Sequence, residues 1–331
     1  MPRVSYLNNS NGSLILEPQR SNAITNSESF GSTGWSFVTT GSAISPIVTD
    51  NYATSPDGTQ NAQRIQFNLG GGSPSRTLIR QNLSTQTDWF LSVWMKSTNG
   101  TEQKVLWHST SDTSETTVTG EWQRFELSRN GLSNSWAGLG LNSSVSTVDT
   151  ADILVYGFQA EQGSYATTLI NTQGSSVTRN ADTCSITNVA DRIGQTEGVI
   201  FVDFKKEHNG VETWSINDGT SQNRVYMGFN GTNFISQVRS SGGAAQASFT
   251  TSLSNNTRYK CALAYKLNDF VLYINGVQIG SDNSGVVPLS MSNLSANAST
   301  NSDAPFFSPT NDVKLYNTRL SNSELATLTT L

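Results

Sequence analysis

Asparagine-glycine pairs punctuate this chain so often that the segments between them fit short strands better than long helices. They stand at Asn11-Gly12, Asn99-Gly100, Asn130-Gly131, Asn209-Gly210, Asn230-Gly231 and Asn275-Gly276, joined by Asp57-Gly58 and Asp218-Gly219. Such pairs tolerate the positive φ angles that a tight type I′ hairpin turn demands. In Asp269-Phe-Val-Leu-Tyr-Ile-Asn-Gly-Val-Gln-Ile-Gly280, two apolar stretches flank the pair, which predicts a hairpin. Other runs show the period of two that a half-buried strand needs. In Asp88-Trp-Phe-Leu-Ser-Val-Trp-Met-Lys96, Leu91, Val93 and Met95 share one face. In Arg258-Tyr-Lys-Cys-Ala-Leu-Ala-Tyr-Lys266, the shared face carries Tyr259, Cys261, Leu263 and Tyr265. Further strands are predicted at 121–127, 153–160, 198–206, 224–229 and 312–317. Many short strands separated by turn signals predict an all-β sandwich or barrel. Helix is expected once, at the C-terminus, where Ser321-Asn-Ser-Glu324 has the spacing of a capping box ahead of Leu325, Ala326 and Leu328.

Ser, Thr and Asn make up about a third of the 331 residues and charged residues 14%, well below the usual quarter. That balance is compatible with disorder, but seven Trp, nine Tyr and fourteen Phe supply large side chains for cores. The net charge of −5, with scattered Lys and Arg, argues against a nucleic-acid partner. No apolar run is long enough to predict a membrane span. The N-terminus lacks an apolar signal segment, so synthesis and folding in a cytoplasm are expected. Cys184 and Cys261 are too few for a disulfide framework and read as free, buried thiols.

The small polar stretch Asn171-Thr-Gln-Gly-Ser-Ser-Val-Thr-Arg-Asn180 reads as a linker. The expected domains are 1–172, including an N-terminal arm, and 183–331, joined by 173–182. Each is a comfortable size for one sandwich.

Several motifs carry a family resemblance. Pro2-Arg-Val-Ser-Tyr6, Leu14-Ile-Leu-Glu-Pro-Gln-Arg20, Ser55-Pro-Asp-Gly-Thr59 with Asn61-Ala62, Trp122-Gln-Arg-Phe125, Gln159-Ala-Glu-Gln-Gly-Ser-Tyr-Ala-Thr167 and Ser176-Val-Thr-Arg-Asn-Ala-Asp182 resemble a module of bacteriophage tail, fibre and spike proteins. In that family the module is similar to a carbohydrate-binding-module jelly roll. From Cys184 onward, Tyr259-Lys260, Ala264-Tyr-Lys-Leu-Asn-Asp-Phe270, Leu272-Tyr-Ile-Asn-Gly-Val277 and Val313-Lys-Leu-Tyr-Asn-Thr-Arg-Leu-Ser321 resemble a concanavalin A-like or laminin-G-like domain. The chain departs from the family at Thr168-Leu-Ile-Asn171, where Ile-Pro-Thr is usual. The resemblance implies two consecutive jelly-roll β-sandwiches with a short C-terminal helix.

Both folds also host glycosidases, whose usual chemistry needs two carboxylates across the scissile bond. The chain has no Glu-x-Asp-x-x-Glu run, and Glu121 and Glu126 fall on opposite strand faces. His108 and His208 sit beside turns, in different expected domains, and read as solvated loop residues. Gly70-Gly71-Gly72 reads as a flexible loop, since no helix follows to cradle a phosphate. A non-enzymatic protein is expected.

Sugar binding needs aromatic faces and planar amides held on a rigid sheet. Trp94 is the first candidate, because Ser92 and Lys96 make its strand face the wetter one; Trp107 and Gln159 follow on neighbouring strands. Trp35 and Trp122 are assigned to the core. Jelly-roll binding modules often carry a structural calcium, for which Glu28 and Asp152 are the candidate ligands.

The resemblance thus implies a phage virion protein, exposed on the particle surface after synthesis in the host cytoplasm. It would bind host cell-surface polysaccharide as part of a spike, fibre or decoration appendage. Other virion proteins would be its partners, and a homotrimer its assembly. The alternative is a purely structural decoration protein whose sandwiches mediate virion assembly without touching sugar.

Overall fold

The computed structural model describes residues 3–5, 10–83, 88–108, 113–130, 136–240, 242–297 and 306–331. Pro2, Tyr6 and Gly131 lie outside them. Among the described residues the chain is all-β apart from one short helix, and it forms two compact units, 19–180 and 1–18 with 181–331.

The 19–180 unit has two five-stranded antiparallel sheets. One runs Thr113–Val118, Gln103–His108, Trp136–Asn142, Arg76–Asn82, Ser36–Thr40. The other runs Gln123–Asn130, Asp88–Ser97, Thr150–Glu161, Ala62–Asn68, Ile44–Ala53. Alternation places Leu91, Val93 and Met95 in the core with Ile65, Ile153, Val155, Ile79 and Leu139, as the sequence period required. An aromatic run of Phe30, Trp35, Phe158 and Trp107 fills the same core, with successive ring centroids 4.9, 5.5 and 5.7 Å apart. A register shift between Tyr156 and Gln159 is absorbed at Gly157, whose φ is 65°. A separate ribbon pairs Arg20–Asn22 with Val177–Arg179.

The other unit has a seven-stranded sheet in the order Arg3–Ser5, Ser13–Ile15, Thr310–Tyr316, Glu197–Lys206, Thr257–Lys266, Asp269–Ile274, Val277–Asp282. Against it lies a six-stranded sheet, Ser185–Ile186, Asn293–Ser295, Gly210–Asn217, Arg224–Gly231, Asn233–Ser240, Ala244–Ser252. Phe204 is the hub of the core between them, its ring 5.3 to 6.1 Å from those of Phe229, Phe234, Tyr259 and Phe306. The expected hairpin turns at Asn275 and Gly276, with φ of 49° and 82°. The helix Asn322–Thr329 starts with the expected capping box and buries Leu325 on the outer side of the seven-stranded sheet, among Phe201, Ala264 and Val271.

The domain limits differ from the expected 1–172 and 183–331 at both ends. Residues 173–182 are no free linker, because Val177–Arg179 hydrogen-bonds into the ribbon with Arg20–Asn22. The N-terminal arm belongs with the C-terminal sandwich. Arg3 Nη2 lies 2.5 Å from Glu17 and 2.7 Å from Asp182, so one guanidinium neutralises two buried carboxylates. Composition marked 171–180 as polar, but polarity does not distinguish a linker from an edge strand. The thiol expectation holds for Cys261, which is buried, whereas Cys184 is half-exposed. Gly70 and Gly71 form a defined turn with φ of 68° and 72°, and a Cβ on Gly70 would lie 2.1 Å from the Ser42 carbonyl.

Candidate functional site

The sequence candidates do not converge. Trp107 is 2% exposed and packs edge-on to Phe158 in the core, because its strand turns odd-numbered residues inward. Gln159 is fully buried: its Nε2 donates to Glu161 at 2.7 Å and its Oε1 accepts from the Ile170 amide at 2.6 Å. It pins the following loop and offers nothing to a sugar. Trp94 does lie on the outer face, half-buried, opposite Arg124 on one side and Tyr156 on the other. Trp35 is in the core, whereas Trp122 is half-buried, its Nε1 donating to the Thr54 carbonyl at 3.1 Å.

Glu28 and Asp152 do not form a cation site together. Arg64 grips Asp152 through two hydrogen bonds of 2.9 and 2.5 Å, and Thr98 adds a third. Arg64 and then Thr98, against the opposing effect of burial, hold the Asp152 carboxyl below its usual range. Glu28 instead stands by the Tyr156 hydroxyl, which donates to Asp57 at 2.8 Å. Burial, then these two carboxylates, push the Tyr156 phenol up. Among the described residues no cluster of three or more metal-ligating side chains occurs.

The His208 expectation is also corrected. Its Nε2 lies 2.6 Å from the buried Glu212 carboxylate, so it is packed rather than solvated. The side chain of His108 lies outside the described residues.

A better candidate is the outer face of the six-stranded sheet. Cross-strand register sets Ser295, Ser215, Tyr226, Gln237 and Ser248 in one row and Asn293, Asn217, Arg224 and Arg239 in the next. The inward positions between them, Ile216, Val225 and Val238, fill the core and hold the rows in place. The Tyr226 hydroxyl donates to Gln237 Oε1 at 2.5 Å, Arg239 Nε donates to the same oxygen at 2.9 Å, and Gln237 Nε2 donates to Ser248 at 2.9 Å. The Arg224 guanidinium lies 4.3 Å from the Tyr226 ring centroid and that of Arg239 5.9 Å. One flank is stiffened by buried bonds: Asn217 Nδ2 to Ser215 at 2.9 Å, and Ser215 to the Asn297 carbonyl at 2.8 Å.

Among the described residues, charge on the strands of this face is one-sided. The strand registers put two arginines there and no Asp or Glu, in a chain whose net charge is −5. Guanidiniums held by an aromatic ring, among hydroxyls and amides, suit an anionic, hydroxyl-rich ligand. The sequence signal was present but spread out, since Tyr226, Arg224, Gln237 and Arg239 are neighbours only across two strands.

A comparable pair occurs on the other sandwich. Arg80 lies 5.0 Å from the centroid of Trp136, on the outer face of its sheet beside Gly138 and Gly140.

No family model matches this sequence, and no curated protein does. Among solved structures, the chain is similar to the CBM40 domain of the Ruminococcus gnavus IT-sialidase, at 14% identity over 45% of this chain and 97% of that one, with a TM-score of 0.37. It is similar to domains LG4-5 of the mouse laminin alpha1 chain, at 10% identity over 76% and 86%, TM-score 0.31. A putative carbohydrate-binding protein from Bacteroides ovatus gives 14% identity over 75% and 77%, TM-score 0.32. Likeness at this level concerns the β-sandwich fold.

Proposed function

We propose that the protein is a non-enzymatic glycan-binding component of a bacteriophage particle, and that it holds an acidic host-surface polysaccharide on the six-stranded sheet. The observation that carries the binding is the Tyr226 platform, an aromatic ring flanked by two guanidiniums on a face to which the described strands turn no carboxylate. The phage setting rests on the motif resemblance. Three residues of those motifs, Arg3, Glu17 and Asp182, meet in one ion cluster, so they act as a structural unit.

Recognition of this kind leaves the glycan intact. A single platform gives weak affinity, and several copies on one particle raise it by about 10²–10⁴ through avidity. Binding of the purified protein to a panel of acidic and neutral bacterial polysaccharides tests the reading. Acidic polymers are expected to bind in a salt-sensitive way and to be recovered at full length; equal binding to neutral polymers, or none to any, counts against it.

One feature favours the structural alternative. Ile44–Ala53 is an edge strand ten residues long with Ile44 and Ile47 more than half exposed, the pattern of a surface waiting for a neighbour. Under this reading the homotrimer or another virion protein covers that edge. Sedimentation of the protein against its Ile47→Lys variant tests it, a loss of oligomer being the expected outcome.

A further inference from the structure

In the 19–180 sandwich, a cavity of about 440 Å³ lies beside the ribbon of Arg20–Asn22 and Val177–Arg179, with Trp89 in its wall. Trp89 is 4% exposed, and its indole Nε1–H is buried without an acceptor. Arg20 lines the same cavity, and its Nε–H is likewise buried and unpartnered. Native folds rarely leave buried donors unmatched, because each costs about 1–3 kcal/mol. Two such donors in one wall mark a place where an acceptor is expected.

The guanidinium is held in position. Arg20 Nη1 donates to the Gln19 carbonyl at 3.1 Å, and the group lies over the Tyr165 ring, 5.5 Å from its centroid. Gly163 passes so close that a Cβ there would lie 2.7 Å from Nη2. Among the described residues, Arg20 has no carboxylate within ion-pair distance and no acid lines the cavity. The wall hydroxyls are already engaged, Ser176 with the Asn22 carbonyl at 2.7 Å and Ser21 with Thr178 at 2.6 Å. The unspent groups are therefore a fixed fork of N–H donors and an indole N–H, with the exposed amides of Gln19 and Gln162 at the rim.

We infer that this cavity is a second binding site, one that takes the carboxylate of a small sugar acid. A planar carboxylate matches the guanidinium fork and leaves an oxygen for the indole N–H. The volume is in the usual range of small-ligand pockets, about 300–1,000 Å³, and the two amides suit ring hydroxyls. The site belongs to the other sandwich from the Tyr226 platform and does not depend on it.

The test follows the Trp89 indole N–H signal by NMR, assigned by its loss in Trp89→Phe, during titration with glucuronate, glucose or inorganic phosphate. The expected result is a saturable shift with glucuronate and none with glucose. Arg20→Gln should weaken glucuronate about tenfold or more, whereas Tyr226→Ala should leave it unchanged. Should Arg20→Gln fail to fold, Arg20→Lys keeps the charge without the fork and is expected to weaken binding several-fold. A static Trp89 signal in large excess of glucuronate overturns the inference. So does an equal response to glucose, or a response to phosphate alone, which would make this an inorganic-anion site.

Discussion

Arg3 and Asp182 stand 179 positions apart in the chain and meet at 2.7 Å, with Glu17 at 2.5 Å on the same guanidinium nitrogen. The backbone reinforces the pair, since the Asp182 amide donates to the Glu17 carbonyl at 2.8 Å and the Glu17 amide to the Asp182 carboxylate at 3.0 Å. Two buried acids on one cation make that cation hard to replace. Arg3→Met is expected to destabilise the C-terminal sandwich by about 1–3 kcal/mol, below the usual cost of breaking a buried pair because Arg3 is partly exposed. Urea unfolding followed by tryptophan fluorescence measures it; an unchanged midpoint would show that the arm contributes nothing.

The Arg64–Asp152 pair predicts a pH dependence in the other sandwich. Its carboxyl is held low in the folded protein, first by Arg64 and then by Thr98, so its contribution is complete above the unfolded value of about 4. It is lost as the pH falls below that through the depressed folded value. Because both side chains are partly exposed, the contribution is about 1 kcal/mol or less. Arg64→Gln should lower stability at pH 7 and flatten its fall as the pH drops below about 4 in urea titrations. An unaltered slope would count against the pair.

The thiols should differ in reactivity. Burial, with a smaller effect of the Asp203 charge, pushes the Cys261 thiol well up, and partial burial pushes Cys184 up as well. Iodoacetamide at pH 8 is expected to modify Cys184 slowly in the native protein and Cys261 only on unfolding. Peptide mass spectrometry reads both sites, and labelling of Cys261 at the rate of Cys184 would contradict its burial.

Local chemistry made much of the fold legible. The Asn275-Gly276 turn, the alternation of Leu91, Val93 and Met95, and the Ser321–Glu324 cap each depend on residues within a few positions of one another, and each is present. Features that depend on distant partners were hidden. Which domain claims the N-terminal arm is decided by Arg3 with Asp182, and local composition carries no trace of that pairing. Trp107 and Gln159 lie on strands as expected, but the face each turns outward is set by cross-sheet register and by the loop that covers Gln159. The Tyr226 platform was missed for the same reason, since its members come together only when Arg224–Gly231 pairs with Asn233–Ser240. Trp136 was hidden by Gly138 and Gly140, which make a strand read as a loop.

In the proposed function, Tyr226 and its flanking guanidiniums hold an acidic glycan. The direct measurement is the affinity for an acidic polysaccharide of the protein and of Tyr226→Ala and Arg239→Gln, with unfolding midpoints determined alongside. Tyr226 and Arg239 lie on the outer face, so both variants are expected to fold. Each should weaken binding about tenfold or more and reduce its salt dependence, as the loss of a stacked cation or of its ring requires. Undiminished affinity in both folded variants would contradict the account.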